Sequence, residues 1–255
     1  MSMTSIFSVF PEKDNRAEMF DAENRFLRTV QGKTTAEIPA IVFEGKGFQY
    51  IGYKKIKGAL LQEAFPKLSA TEKEIVASDT AKFLYELSTA ITARDASALG
   101  IKEKPIVDKS EIPDLRERVT ANISDKTLQD FLLHALDRYE HFLAEPPERQ
   151  VLLHGDIKPA NLIINPETKR LCGVIDWSDM SVGDIYDEFP NMMIRDIEFG
   201  KCVAAEYGKL SGENLSEEKL EVHTLVRKIR DLRIASRIPK ARERLRDFMK
   251  VATFK

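Results

Sequence analysis

Three oxygen-bearing side chains lie next to short apolar runs in the stretch from residue 151 to residue 177. They are Asp156, which follows one apolar run, Asn161, which precedes another, and Asp176, which follows a third. Carboxylate and amide oxygens can bind hard cations, and a carboxylate can also accept or orient a proton. The stretch therefore predicts a site of chemistry if the fold brings the three side chains together.

The elements that position these side chains are predicted from the same stretch. A polar turn at residues 165–168, Asn-Pro-Glu-Thr, separates two short apolar runs, and this pattern is typical of a β-hairpin. Such a hairpin brings Asn161, just before its first strand, back beside Asp176, just after its second. Asp156 lies on the loop that leads into the first strand. All three side chains are therefore expected at one end of a small hairpin.

Composition limits the class of protein. The chain has 255 residues, 39 basic and 41 acidic, so a broad basic surface for nucleic acid or an anionic membrane is not expected. Two cysteines, Cys172 and Cys202, are too few for a disulfide framework and are expected to be reduced. No apolar run approaches transmembrane length and no signal peptide is evident at the N-terminus, which predicts a cytoplasmic protein.

The first 57 residues predict a small sheet-and-helix unit. Residues 5–10 are apolar and predict a strand, and a helix with Phe20, Phe26, Leu27 and Val30 on its apolar side follows. Residues 38–43 and 48–53 predict two further strands, joined by the Gly-rich turn at residues 44–47.

From Gly58 onward the pattern is mainly helical. A capping box at Ser69 opens a helix whose apolar positions are Ile75, Phe83, Leu84 and Leu87. Residues 127–144 predict a second helix, and residues 217–236 and 240–250 predict two more. The fold class is therefore α+β, with a small N-terminal lobe over residues 1–57 and a larger helical lobe over residues 58–255 that carries the hairpin.

The order His154-Gly155-Asp156, Asn161 and Ile175-Asp176-Trp177 resembles the catalytic and metal-binding segments of the aminoglycoside phosphotransferase family. That family has the two-lobed protein-kinase-like fold. Protein kinases carry Arg in place of Gly155 and Phe-Gly in place of Trp177, so the resemblance favours the branch that acts on small molecules. It covers most of residues 6–190 and is strongest over residues 151–187.

The resemblance implies a role for each of the three polar residues. Asp156 would accept the proton of the acceptor hydroxyl, and Asn161 and Asp176 would hold Mg²⁺ against the phosphates of ATP or GTP. The partners would be a nucleotide and a small hydroxyl-bearing molecule, with no nucleic acid and no membrane. An aminoglycoside is one such acceptor, which makes antibiotic resistance one role to test; the oligomeric state stays open.

The same resemblance assigns further residues to the site. The strand and hinge that contact the nucleotide would be Tyr53, Lys54, Lys55 and Ile56, and the N-lobe helix would supply Glu23. Acidic residues that follow Trp177, among them Asp184, Asp187 and Glu188, would favour a cationic acceptor. For Asp184 and Asp187, capping the next helix or bracing the catalytic loop is the stronger expectation.

The N-terminus departs from the family pattern. The family has a strand of the form Phe-Lys-Phe-Pro whose lysine contacts the phosphates, and here the corresponding residues 8–11 read Ser-Val-Phe-Pro. Val9 therefore occupies the lysine position, and a glycine-rich loop is not expected before it. Two hypotheses follow: a phosphotransferase, or a non-catalytic pseudokinase or truncated remnant that binds small molecules. A protein kinase is disfavoured by Gly155.

Overall fold

The computed structural model describes residues 16–44, 51–145 and 149–235 of the chain. The described part begins with α1 (Arg16–Val30), followed by an antiparallel pair, β1 (Ala40–Glu44) and β2 (Ile51–Lys54). The predicted helix and hairpin are thus confirmed, although β1 begins two residues later than expected. The predicted strand at residues 5–10 and the glycines of the hairpin turn lie outside the described residues.

The central sheet is built around the predicted hairpin. β3 (Ala59–Leu60), β5 (Leu162–Ile164) and β6 (Leu171–Val174) form an antiparallel sheet in the order β3-β5-β6. Gly58 precedes β3 with a φ of 149°, and a Cβ there would lie 2.5 Å from a methyl group of Ile163. Only glycine allows the chain to enter the sheet this close to β5.

A separate two-stranded ladder leads into and out of the hairpin region. β4 (Gln150–Leu153) pairs antiparallel with β7 (Ser181–Asp184), in a register that sets Leu153 opposite Ser181. β4 is buried at Val151, Leu152 and Leu153. The loop that follows β4 and the loop that precedes β7 are therefore held at the same end of the ladder.

Helices make up most of the rest of the described chain. α2 (Leu61–Ala64) and a 3₁₀ turn lead to α3 (Ala70–Ala90), which Ser69 and Glu72 cap in the predicted capping box. The remaining helices are α4 (Ala93–Ala98), α5 (Ile112–Asn122), α6 (Lys126–Ala144), α7 (Pro190–Met193), α8 (Ile197–Ser211) and α9 (Glu217–Ala235). The predicted helices over 127–144 and 217–236 are confirmed as α6 and α9; the prediction for 240–250 lies outside the described residues.

Buried side chains fall into two hydrophobic clusters. The larger joins α1, α3 and α8 to β4–β7 and includes Phe26, Phe83, Leu87 and Trp177. Ile75, predicted on the apolar face of α3, is 37% exposed instead. The division at residue 57 stays a prediction, and this cluster contains residues from both sides of it.

The smaller cluster joins α5, α6 and α9, and its largest fully buried side chain is Tyr139. The hydroxyl of Tyr139 accepts a hydrogen bond from the backbone N–H of Val107 and donates one to the carbonyl of the same residue. This contact attaches the segment before α5 to α6. Cys172 and Cys202 are free thiols, as predicted. None of the helices in the described ranges is long and apolar enough to span a membrane.

Candidate active site

Asp156 lies on the loop between β4 and β5, which we call the 154–161 loop. The residue is buried, 8% exposed, and its carboxylate accepts several hydrogen bonds. Asn161 Nδ2 donates to Oδ2 at 3.1 Å, Asn191 Nδ2 donates to Oδ1 at 2.9 Å, and Lys158 Nζ forms an ion pair with Oδ2. The carboxylate is therefore held in one orientation by three donors.

Asp176 follows β6 and starts the loop to β7, residues 176–180. The hairpin places this loop beside Asn161, because the Ile175 N–H donates to the Asn161 carbonyl at 3.0 Å. Asp176 is exposed and has a φ of 69°, a left-handed backbone conformation that residues other than glycine seldom adopt. Such strain is concentrated at functional sites. The structure thus brings Asp156, Asn161 and Asp176 to one end of the hairpin.

His154 connects the two loops. Its Nε2 donates to the Ile175 carbonyl at 3.0 Å, and its Nδ1 accepts from the Asp156 N–H at 3.3 Å. Complete burial lowers the pKa of His154 to about 4, so the ring is neutral with its proton on Nε2. This residue therefore has a structural task, with both ring nitrogens occupied by backbone groups.

The indole of Trp177 packs against three aromatic rings. Its ring lies 4.5 Å from the His154 ring, 5.0 Å from Phe26 and 6.1 Å from Phe83, measured between centroids. Its indole N–H donates to the Val174 carbonyl at 3.3 Å. The tryptophan therefore anchors the 176–180 loop to α1 and α3.

Glu188 supports the 154–161 loop by accepting hydrogen bonds from its backbone. It is 1% exposed, and its carboxylate accepts from the backbone N–H groups of His154 at 2.7 Å and Gly155 at 3.2 Å. Burial is the main cause that raises the pKa of Glu188 to about 7. The sequence suggested that Glu188 would face a substrate. In the structure its oxygens instead accept hydrogen bonds from the backbone of the 154–161 loop.

The other two acids after Trp177 also bond within the protein. Asp184 accepts from the Tyr186 N–H at 3.1 Å, as a cap of the turn after β7. Asp187 accepts from His223 Nδ1 at 2.8 Å and from the Ile106 N–H at 3.2 Å. These contacts agree with the expectation that the acids brace local structure, and a role toward an acceptor stays a prediction.

Glu23 on α1 lies near the hairpin end, close enough to Asp176 for their charges to interact. The Tyr53 hydroxyl donates to Glu23 Oε1 at 3.0 Å. Burial raises the pKa of Glu23, and the negative charge of Asp176 adds to this effect. Glu23 and Tyr53, both predicted from the sequence, are therefore together beside Asp176.

Of the remaining hinge residues, Lys54 ends β2, and Lys55 and Ile56 follow it outside the strand. Lys54 and Lys55 are exposed, in agreement with the expectation that their charges face solvent. Ile56 is 7% exposed and packs against Gly173, where a Cβ would lie 2.5 Å from an Ile56 methyl carbon. Contacts from this segment to a nucleotide base stay a prediction.

Two residues that contact Asp156 were missed by the sequence reasoning. Lys158 lies only two positions after Asp156, so the motif itself contained the signal for it. Asn191, on α7, is 35 positions away and its contact depends on how α7 packs. No spacing rule identifies such a residue.

A magnesium ion fits the donor chemistry of the hairpin end. In the described ranges, no three His, Cys, Asp or Glu side chains cluster closely enough to hold a metal by themselves. Mg²⁺ bound with a nucleotide, however, commonly takes one or two protein ligands and completes its shell with phosphate oxygens and water. Asp176 supplies a carboxylate, and Asn161, whose Nδ2 is bonded to Asp156, leaves its amide oxygen for a cation.

Comparison with solved structures identifies the architecture. The GDP and kanamycin complex of APH(2")-IIia matches with a TM-score of 0.74 and 22% identity, over 100% of this chain and 95% of that chain. The streptomycin-ATP-APH(2")-IIa ternary complex matches with a TM-score of 0.62 and 24% identity, over 86% and 74%. Macrolide 2'-phosphotransferase MphH from Brachybacterium faecium gives 0.63 and 18%, over 92% and 80%. The chain thus has the protein-kinase-like fold of these enzymes.

The sequence assigns the chain within that class. The model of the APH phosphotransferase enzyme family matches residues 6–220, which is most of the chain. The comparison with curated proteins found no match. The chain belongs to the phosphotransferase enzyme family, and the resemblance stated from residues 151–187 is confirmed.

Gly155 allows a first prediction. Its φ is 80°, and a Cβ would lie 2.1 Å from the Asp179 carbonyl oxygen. Gly212 has a similar φ of 75° with nothing within 4 Å, so it is a matched control. Gly212→Ala should lose about 1–2 kcal/mol of unfolding free energy from backbone strain alone. Gly155→Ala should lose roughly 1–3 kcal/mol more because the two loops must separate. Equal losses in urea unfolding would contradict this packing.

Glu188 allows a prediction about pH. Its pKa rises from an ordinary 4.5 to about 7, so the folded state keeps a proton that the unfolded state loses. The contribution of Glu188 to stability therefore falls as the pH rises through this window, by about 3 kcal/mol in total. Unfolding free energies of the wild type relative to Glu188→Gln should show this decline. The lowered pKa of His154 makes stability rise with pH, but this effect is present in both proteins and cancels in the difference. A difference in unfolding free energy that does not change with pH would refute the raised pKa of Glu188.

Proposed function

We propose that this protein transfers the γ-phosphate of ATP or GTP to a hydroxyl of a small polar molecule. The observation that carries the proposal is the Asp156 carboxylate, which is held by Asn161, Lys158 and Asn191 at the hairpin end where Asp176 begins the next loop. Membership of the phosphotransferase family supports the reaction class. Asp156 would bind the acceptor hydroxyl and receive its proton.

The proposed reaction needs little covalent chemistry from the protein. The acceptor oxygen forms a bond to the γ-phosphorus, the bond to the leaving nucleoside diphosphate breaks, and the hydroxyl proton passes to Asp156. Catalysis of phosphoryl transfer depends mainly on positioning and on stabilising charge. The three hydrogen-bond donors fix the Asp156 carboxylate before an acceptor arrives, and Lys158 places a positive charge beside it.

Asp176 and Asn161 would hold Mg²⁺ that comes with the nucleotide. When bound, this ion supplies positive charge to the phosphate oxygens. Glu23, held by Tyr53 and close to Asp176, adds negative charge to the same region. This arrangement supports the assignment of a cation to the hairpin end, since a cation there relieves the repulsion between the two acids.

The second hypothesis, a non-catalytic module that binds small molecules, also has a supporting observation. Among the described residues, Glu23 is bonded to the Tyr53 hydroxyl and forms no ion pair with a lysine or arginine. Residues 8–11, where Val9 replaces the expected lysine, lie outside the described ranges. In this hypothesis the site keeps its oxygen ligands but transfers no phosphate.

One substitution distinguishes the two hypotheses. We expect Asp156→Ala to lower Mg²⁺-dependent phosphate transfer from ATP or GTP by about 10²- to 10⁴-fold, because the proton acceptor is lost. Asp130→Ala is the matched control, since Asp130 is exposed on α6 and, within the described part of the chain, pairs with Lys126. The acceptor panel should include aminoglycosides, because relatives have been solved with kanamycin and gentamicin.

The outcome is read from product formation rather than from nucleotide hydrolysis alone. The proposal predicts an acceptor that is phosphorylated by the wild type and by Asp130→Ala but not by Asp156→Ala. Equal background rates in all three proteins with every acceptor would reject phosphotransfer. Retained nucleotide binding in that case would favour the binding module.

A further inference from the structure

The carboxylate of Asp156 has one lone-pair position left for a further donor, and this position is on Oδ1. A carboxylate offers about four such positions, two on each oxygen. Asn161 Nδ2 and Lys158 Nζ both donate to Oδ2, so the positions on that oxygen are filled. Among the described residues, Oδ1 accepts from Asn191 Nδ2 alone, at 2.9 Å. A hydroxyl that binds without displacing a protein donor therefore binds Oδ1, next to Asn191.

Asn191 differs from the other two donors in where it comes from. Lys158 and Asn161 belong to the same 154–161 loop as Asp156, so they move with the carboxylate if the loop moves. Asn191 lies on α7, 35 positions further along the chain. Its amide nitrogen must be the atom that faces Asp156, because a carboxylate can only accept. Asn191 thus fixes Oδ1 relative to the helical lobe, and the direction of Oδ1 depends on where α7 is held.

The place of α7 is set by its close packing against α8. Gly200, in the first turn of α8, lies against Met193, the last residue of α7. A Cβ on Gly200 would lie 2.4 Å from Met193 Cγ and 2.8 Å from the Met193 backbone nitrogen. A side-chain atom could move aside, but a backbone atom cannot do so unless α7 moves with it. Glycine at position 200 therefore allows the observed distance between α7 and α8.

α9 contacts the same end of α7. Thr224 is buried on α9, and its Oγ1 lies 3.3 Å from Met193 Sδ. Met192 and Met193 are both buried in the lobe, whereas Asn191 is only partly buried. The methionines thus anchor α7 between α8 and α9, and the residue directly before them contacts Asp156.

We propose that Asn191 is a positioning residue that selects Oδ1 of Asp156 as the proton-accepting oxygen, and that Gly200 sets its place through α7. This inference rests on the phosphotransfer proposed above and deepens it. The acceptor oxygen bonds to the γ-phosphorus, the bond to the nucleoside diphosphate breaks, and the hydroxyl proton passes to Oδ1. Without Asn191 both positions on Oδ1 are open, and they point in different directions. A hydroxyl bound in the position that Asn191 fills is misplaced for attack.

Two substitutions of Asn191 test the selection of Oδ1. Leucine has a similar size and no donor, and an ionised aspartate has the same shape, cannot donate and repels Asp156. We expect Asn191→Leu to lower kcat by about tenfold or more, and Asn191→Asp to lower it further. The KM for the nucleotide should stay at the wild-type value. Rates are measured with Mg²⁺ and ATP or GTP, with water, kanamycin and gentamicin as the probe acceptors.

Asn122→Leu is the matched control for these variants. Asn122 is exposed in the last turn of α5, and its amide donates to the Arg118 carbonyl at 2.8 Å. This variant also loses a side-chain amide from a helix and should keep the wild-type kcat. Circular dichroism gives the folded fraction of each variant, and each kcat is expressed per folded protein.

A second pair of variants tests the link through α7. Gly200→Ala should lower kcat by about tenfold, because the added methyl group displaces α7. Gly208→Ala is its control: Gly208 is also on α8, and a Cβ there would lie 2.7 Å from the Glu213 carbonyl oxygen, away from α7. If Gly200 acts through Asn191, Gly200→Ala should have little further effect in the Asn191→Leu background. A general loss of structure would lower kcat in that background as well.

The outcomes separate this inference from the proposed function. An active wild type whose Asn191 variants keep its kcat would reject the positioning role and leave phosphotransfer. Equal effects of Gly200→Ala and Gly208→Ala, or additive effects of Gly200→Ala and Asn191→Leu, would reject the link through α7. If Gly200→Ala does not fold, the two Asn191 variants decide the result. Neither hydrolysis nor transfer by the wild type would reject phosphotransfer and this inference with it.

Discussion

The buried carboxylate of Glu188 holds the 154–161 loop in position, and the geometry of the site depends on this contact. It accepts backbone hydrogen bonds from His154 and Gly155, so the residues directly before Asp156 cannot shift without exposing unpaired N–H groups. Burying the carboxylate has a cost, which is visible in its raised pKa. A protein that retains such a group in its core gains a fixed backbone at the point where Asp156 must be oriented.

The second loop is attached to the first by contacts that leave little freedom. His154 bonds to the Ile175 carbonyl and packs on Trp177, and Gly155 lies so close to the Asp179 backbone that a Cβ has no room. These contacts explain why glycine stands where protein kinases have arginine. They also place the strained Asp176 at a fixed position relative to Asp156. The residue proposed as proton acceptor and the residues proposed as cation ligands are thus held in one fixed arrangement.

Local patterns were enough to predict part of this unit, and long-range packing determined the rest. The hairpin and the convergence of Asp156, Asn161 and Asp176 follow from a polar turn between two short apolar runs, a pattern that acts over a few residues. The contact of Asn191 with Asp156, the pairing of β4 with β7 and the backbone role of Glu188 each join distant segments. The place of α7 likewise requires α8 and α9 to pack against it, and no spacing in the sequence encodes that packing.

The proposed chemistry depends on Asp176 and Asn161 holding a nucleotide-bound divalent cation at the hairpin end. The most direct measurement is electron paramagnetic resonance of Mn²⁺, a substitute for Mg²⁺, titrated into the protein with ATP or GTP. We expect a protein-bound Mn²⁺–nucleotide signal in the wild type that is strongly reduced in Asp176→Asn and in Asn161→Ala. An identical signal in all three proteins, or no bound Mn²⁺ with either nucleotide in the wild type, would contradict it.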